Sequence, residues 1–145
     1  MITTGHYIAG ELIAGTTEGA TVVYNPSTGE IIGYASEGTA AMVDQAVAAA
    51  AAAAPAWGAT SVAERAAYLD TWRGKLLAET DALIDLTVDE LGLIPAFATN
   101  IHVARATNYL VGLDAMAETV LTPRRINNSL VVREPAGVLA AITAW

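Results

Sequence analysis

At 145 residues the chain is long enough for one domain with a substantial hydrophobic core. Its 15 Asp and Glu against 7 Lys and Arg give a net charge of −8, which argues against a nucleic-acid partner and an anionic membrane surface, since both need a basic face. Cysteine is absent, so these residues hold no disulfide, no thiolate metal site and no thiol nucleophile.

The N-terminal stretch MITTGHYIAGELI lacks the basic region and long apolar core of a signal peptide, and a cytoplasmic protein is expected. Tyr7, Ile8, Leu12 and Ile13 flank Ala9 and Gly10, where glycine can supply the positive φ of a tight hairpin. Val22, Val23 and Tyr24 lead into Asn25-Pro26-Ser27-Thr28-Gly29, with Glu30, Ile31, Ile32 and Gly33 as the returning strand. Pro26 fixes φ and Gly29 can turn left-handed, so a second hairpin is expected.

From Thr39 the period lengthens. Thr39 is a good N-cap, and Met42, Val43, Ala46, Val47 and Ala50 recur at helical spacing until Pro55 and Gly58. The alanine-rich run here raises the hydrophobic fraction to 54% and the mean hydropathy to +0.43, high for a water-soluble domain. A membrane span needs about 20 apolar residues, and Ala46 to Trp57, interrupted by Pro55, is too short. The apolar surplus is therefore expected to lie against another domain or subunit. Ser61 followed by Glu64 is a capping box, and Leu69, Trp72 and Leu76 form the stripe behind it. Thr80-Asp81 opens a third helix carrying Ile84, Val88 and Leu91, closed by Gly92. Pro95 suits the first turn of a fourth, with Val103, Ala106, Leu110, Leu113 and Ala117 stepping by three and four.

After Thr122-Pro123 the period returns to two. Ile126, Leu130 and Val132 share one parity, Asn127-Asn128 offers a bend, and Arg124, Arg125, Arg133 and Glu134 bracket the stretch. An exposed hairpin or edge strand fits, and such an edge can serve as a subunit contact. Pro135-Ala136-Gly137 breaks it, and Val138 to Trp145 is continuously apolar, the pattern of a parallel strand covered on both faces. A lone parallel strand has nothing to pair with, so its partners are expected from other chain.

Candidate chemistry is sparse. His6 and His102 stand without metal-ligand spacing and are read as structural. No Gly-x-Gly-x-x-Gly and no Walker loop occurs. Asp81, Asp85 and Asp89, with Glu90 beside them, read as a solvated helix face, and Trp57 and Trp72 as core or interface anchors.

The phrase YNPSTGEIIGYA, the register VDQAVAAAAAAAPAW, the ER of the next capped helix, DELG, and the closing REPAGVLAAITAW together resemble the N-terminal part of the NAD(P)-dependent aldehyde dehydrogenase superfamily, from about Tyr7 to Trp145. NPSTGE and REPAGV at this separation are specific as a pair. The resemblance implies an α/β fold with two small hairpins, four helices, an oligomerisation hairpin and the first strand of a Rossmann-like sheet. Residues 1–120 would begin the cofactor-binding domain, residues 121–134 form the oligomerisation hairpin, and residues 135–145 supply that first strand. Ile142, Thr143, Ala144 and Trp145 would then line an NAD or NADP cleft, as ligands meet the carboxyl ends of parallel strands; many relatives carry proline where Ala144 stands. A cation site would fall on Val23, Tyr24 and Glu90, although the sequence around GLIP is one residue longer than usual. The family's asparagine, lysine, glutamate and cysteine, which run aldehyde oxidation, have no counterpart in these residues. The segment alone is thus expected to be catalytically inactive and to bind no cofactor. Its parent would oxidise an aldehyde to a carboxylic acid as a homo-oligomer; the alternative is a truncated paralogue with a structural role.

Overall fold

The computed structural model of the chain describes residues 1–143. β2 (His6–Ile8) and β3 (Glu11–Ile13) pair antiparallel around Ala9 and Gly10. Both turn residues have positive φ, 55° and 86°, as a two-residue hairpin matching the strand twist requires. β4 (Thr21–Tyr24) and β5 (Ile31–Ala35) form the second expected hairpin. A third strand, β1 (Ile2–Thr4), joins β5 in parallel, giving the order β1-β5-β4. The β-branched run Ile2-Thr3-Thr4 is its only local signal. β1 lies so close to β5 that a Cβ on Gly33 would sit 2.6 Å from the Ile2 carbonyl oxygen.

α1 (Ala40–Gly58) starts at Thr39, whose Oγ1 accepts from the Met42 N–H at 3.2 Å. Pro55 does not stop it. The helix runs one turn further to Gly58, because the Ala51 carbonyl that Pro55 cannot serve lies at an exposed residue, where water can replace the bond. α2 (Val62–Ala78) begins with the complete capping box. The Ser61 N–H donates to Glu64 Oε2 at 2.7 Å and the Glu64 N–H to Ser61 Oγ at 3.2 Å. α3 (Thr80–Leu91) ends at Gly92 in the left-handed conformation.

The fourth helix departs from expectation. It comprises a single turn, α4 (Pro95–Phe97), a π-helical stretch at Ala98–Val103, and α5 (Ala104–Asn108). The chain then turns, and α6 (Leu113–Leu121) starts afresh. Gly112 at φ 72° cannot continue a right-handed helix, which is why the periodicity from Val103 to Ala117 does not correspond to one rod. Within the wide turns, Thr99 Oγ1 donates to the Pro95 carbonyl at 2.8 Å and Asn100 Nδ2 to that of Ala96 at 2.9 Å, occupying acceptors at the widened ladder.

The small core sits where the π-helical stretch packs on α3 and α5 packs on α2. Ala98, Val103 and Thr107 are buried there. Thr107 Oγ1 donates to the Ala104 carbonyl at 3.0 Å, and Arg73 Nε of α2 donates to the Thr107 carbonyl at 3.3 Å. Beyond α6, β6 (Arg124–Ile126) and β7 (Ser129–Val131) pair around Asn127 and Asn128, with Asn127 at φ 53°. Every residue of this hairpin is exposed.

From Val132 to Thr143 no strand forms. The apolar run from Val138 has no neighbouring strand, and a strand without a ladder partner leaves its backbone groups to water. Leu139 is 79% exposed. The exposed surface totals 10873 Å² for a 15.0 kDa chain, roughly half as much again as the about 7,000 Å² of a folded monomer of that mass. Among the described residues no helix is long and apolar enough to cross a membrane.

Candidate functional site

The Asn25–Gly29 turn is built by its own side chains. Asn25 Oδ1 accepts from the N–H groups of Ser27 at 2.9 Å and Thr28 at 3.3 Å, and the Gly29 N–H donates to the Asn25 carbonyl at 2.8 Å. Such an Asx turn leaves the asparagine amide nitrogen free to reach outward. It reaches α3, where Asn25 Nδ2 donates to Asp89 Oδ1 at 3.2 Å. Gly92 completes the junction, since a Cβ there would lie 2.7 Å from Ser27 Oγ and 3.0 Å from Pro26 Cγ.

Beside this junction is a cavity of about 390 Å³ whose walls include Val23, Ile32, Gly33, Leu86, Asp89 and Glu90. The β4–β5 ladder shifts register between Val23 and Tyr24. Val23 faces Gly33 and Tyr24 faces Ile31, so Ile32 is the extra residue of a bulge and its backbone groups stand outside the regular pairing. The structure thus brings Val23 and Glu90, expected as cation ligands, to one cavity. Tyr24 is the next residue along β4, but it is not among the lining residues and is 54% exposed. Asp81, Asp85, Asp89 and Glu90 are all exposed, as a solvated helix face requires, and Asp89 in addition accepts from the turn; no local pattern signals a partner so distant in the chain. Among the described residues no cluster of three or more His, Cys, Asp or Glu side chains is arranged to hold a metal.

The other expected site lies at the end of the chain. Ile142 is 96% exposed and Thr143 is also exposed, while Ala144 and Trp145 fall outside the described residues. A second cavity of about 480 Å³ separates Trp57 and Arg65 from Arg133, Pro135 and Leu139, and stops short of Ile142. Arg65 Nη1 donates to the Thr60 carbonyl at 2.7 Å, and Arg133 Nε to the Val120 carbonyl at 2.9 Å. Glu64 is held below the usual carboxylate range by the Ser61 N–H, then by the Ser61 hydroxyl, with a smaller contribution from Arg65. This carboxylate serves the helix start and is fully exposed.

The two histidines are placed as structural residues. His102 packs its ring 5.8 Å from that of Phe97. The His6 ring borders Gly38, and its Nε2 is buried without a hydrogen-bond partner. Trp57 packs against Tyr68 with the rings tilted by 58° and centroids 5.6 Å apart, yet Trp57 and Trp72 remain 47% and 52% exposed, so this chain alone does not make them core.

Sequence and fold comparisons agree. A "Putative aldehyde dehydrogenase" of Staphylococcus aureus (strain bovine RF122 / ET3-1) is 33% identical over 142 residues, covering 98% of this chain and 30% of the relative. The crystal structure of HpcC from Thermus thermophilus superposes with a TM-score of 0.81 at 26% identity, over 93% of this chain and 27% of that one. PnpE, solved in complex with nicotinamide adenine dinucleotide, gives a TM-score of 0.75 at 26% identity, over 88% of this chain and 26% of its own. The chain therefore spans about a third or less of the proteins it matches. The sequence model of the aldehyde dehydrogenase family matches residues 13–145, and the chain belongs to that family.

Proposed function

We propose that these residues are the N-terminal part of an NAD(P)-dependent enzyme that oxidises an aldehyde to a carboxylic acid, acting as a cytoplasmic homo-oligomer. What supports this most is the family match from residue 13 to residue 145. When bound, the nicotinamide cofactor supplies the hydride acceptor. Ile142 and Thr143, both exposed, would form one wall of the cofactor cleft. Ala144 and Trp145 would extend the same wall, with the β6–β7 hairpin as a subunit contact.

The chain's own contribution is scaffolding. A cysteine nucleophile is absent from these residues, so they form no acyl-enzyme by themselves. The cation site is proposed at Val23, Tyr24 and Glu90. What supports it is that Val23 and Glu90 line one cavity and that a carboxylate with backbone oxygens is the ligand type a hard cation takes.

The test is a chimera in which these 145 residues replace the matching part of the Staphylococcus aureus relative. With an aldehyde on which the unmodified relative is active, the chimera should produce NADH while the 145-residue chain alone produces none. A folded chimera that binds NAD⁺ and turns over no aldehyde would contradict the proposal.

A further inference from the structure

We propose that Asn128 is a site of spontaneous deamidation, and that its conversion to isoaspartate dismantles the β6–β7 hairpin.

Deamidation requires the backbone nitrogen of the following residue to reach the asparagine Cγ. The residue that follows, and how firmly the pair is held, therefore decide where it happens. The chain has five asparagines, at positions 25, 100, 108, 127 and 128. Asn25 precedes Pro26, which has no N–H to give up, and its amide is held at both ends by Ser27, Thr28 and Asp89. Asn100 lies in the π-helical stretch, donates through Nδ2 to the Ala96 carbonyl at 2.9 Å, and precedes the β-branched Ile101. Asn108 ends α5 and precedes the bulky Tyr109.

Asn127 and Asn128 form the two-residue turn between the paired Ile126 and Ser129, and every residue around them is exposed. Asn127 is followed by a second asparagine, whose side chain crowds the ring that must close. Asn128 is followed by Ser129, the smallest side chain that follows any of the five. The ladder gives little protection here. Its strands are three residues each and exposed throughout, and a lone two-stranded hairpin is marginal in water, so the Ser129 N–H is released often.

The reaction needs only base and water. The Ser129 nitrogen, its proton lost to base, forms a bond to Asn128 Cγ as the Cγ–Nδ2 bond breaks, and ammonia leaves with a proton from water. Water then opens the cyclic imide. Opening at Cγ gives aspartate, an ordinary turn residue. Opening at the Asn128 main-chain carbonyl gives isoaspartate, in which the chain runs through Cγ and gains a backbone carbon. Loop length sets the register of a hairpin, so the added atom breaks the pairing of Ile126 with Ser129.

The test incubates the 145-residue chain in mildly alkaline buffer at body temperature. Peptide mass spectrometry follows each asparagine, with fragmentation that separates aspartyl from isoaspartyl products. Asn128 should convert about tenfold faster than Asn100 and Asn108, since local opening costs least where the ladder is exposed. Ser129→Val keeps a strand former but crowds the attacking nitrogen, and should slow conversion about tenfold. Conversion of Asn128 no faster than that of Asn100 and Asn108, or an unchanged rate in Ser129→Val, would overturn the site. Should Ser129→Val not fold by circular dichroism, the comparison among the wild-type asparagines decides the matter. NMR of the separated products reads the consequence: the isoaspartyl form should lose the contacts between Arg124 and Val131, and Asn128→Asp should keep them. An isoaspartyl chain with its hairpin intact, or a hairpin lost equally in Asn128→Asp, would overturn the backbone mechanism.

Discussion

Gly92 is where two constraints meet. It ends α3 at φ 63°, ψ 30°, and its missing Cβ makes room for Ser27 and Pro26 of the Asn25–Gly29 turn. Gly92→Ala should cost about 1–2 kcal/mol from the left-handed backbone alone, and more as the turn is pushed away. Gly74, in the middle of α2, has nothing within 4 Å of an added Cβ. Gly74→Ala should therefore stabilise the chain by roughly 0.5–1 kcal/mol. Urea unfolding followed by circular dichroism distinguishes them, and equal shifts would show that Gly92 has no special conformational role. Glu64 gives a pH-dependent counterpart. Its carboxylate accepts from the Ser61 N–H and hydroxyl, which lowers its pKa. The folded value lies below the unfolded one, so the cap's contribution is present above the unfolded pKa and is lost as pH falls through the folded one. An NMR titration of Glu64 should show a midpoint below that of the unfolded chain, and Ser61→Ala should move it back up.

At the scale of elements, legibility follows locality. The Ala9-Gly10 turn, the Thr39 cap, the Ser61/Glu64 box and the Gly92 stop each act within a few residues, and each is readable from residue type and spacing. α1 ends at Gly58, within the Pro55–Gly58 stretch read as its stop, and it passes Pro55 because a proline near an exposed helix end removes one hydrogen bond that water can replace. The break at Gly112 is hidden by an apolar period that continues across it, since Leu110 and Leu113 are both half-buried on either side of the turn. β1 is hard to read because its parallel pairing with β5 depends on chain about thirty residues away. The candidate site divides in the same way. Glu90 and Val23 are reachable through the family resemblance, but the Asn25–Asp89 bond spans 64 positions and leaves no periodic trace. The run from Val138 is legible as a buried strand in composition, and its lack of a ladder here reflects the lack of a neighbour to accept and donate its hydrogen bonds.

Across the whole molecule, much of the apolar side-chain surface is exposed. Only Gly33, Ala98, Val103 and Thr107 are buried among the described residues, while Leu12, Tyr68, Trp72, Tyr109, Leu139 and Ile142 are exposed by more than half. Exposed apolar area on this scale marks contact surfaces. It is consistent with a chain that spans only 30% of the relative it matches. We propose that the Val138–Ile142 run, bare in this chain, becomes an interior strand when the remainder of an aldehyde dehydrogenase fold is present. Amide hydrogen exchange of that run, compared between the 145-residue chain and the chimera with the Staphylococcus aureus relative, tests it most directly. Rapid exchange is expected in the chain and protection among the strongest of the whole protein in the chimera; rapid exchange in a folded, NAD⁺-binding chimera would show that the run stays outside the sheet.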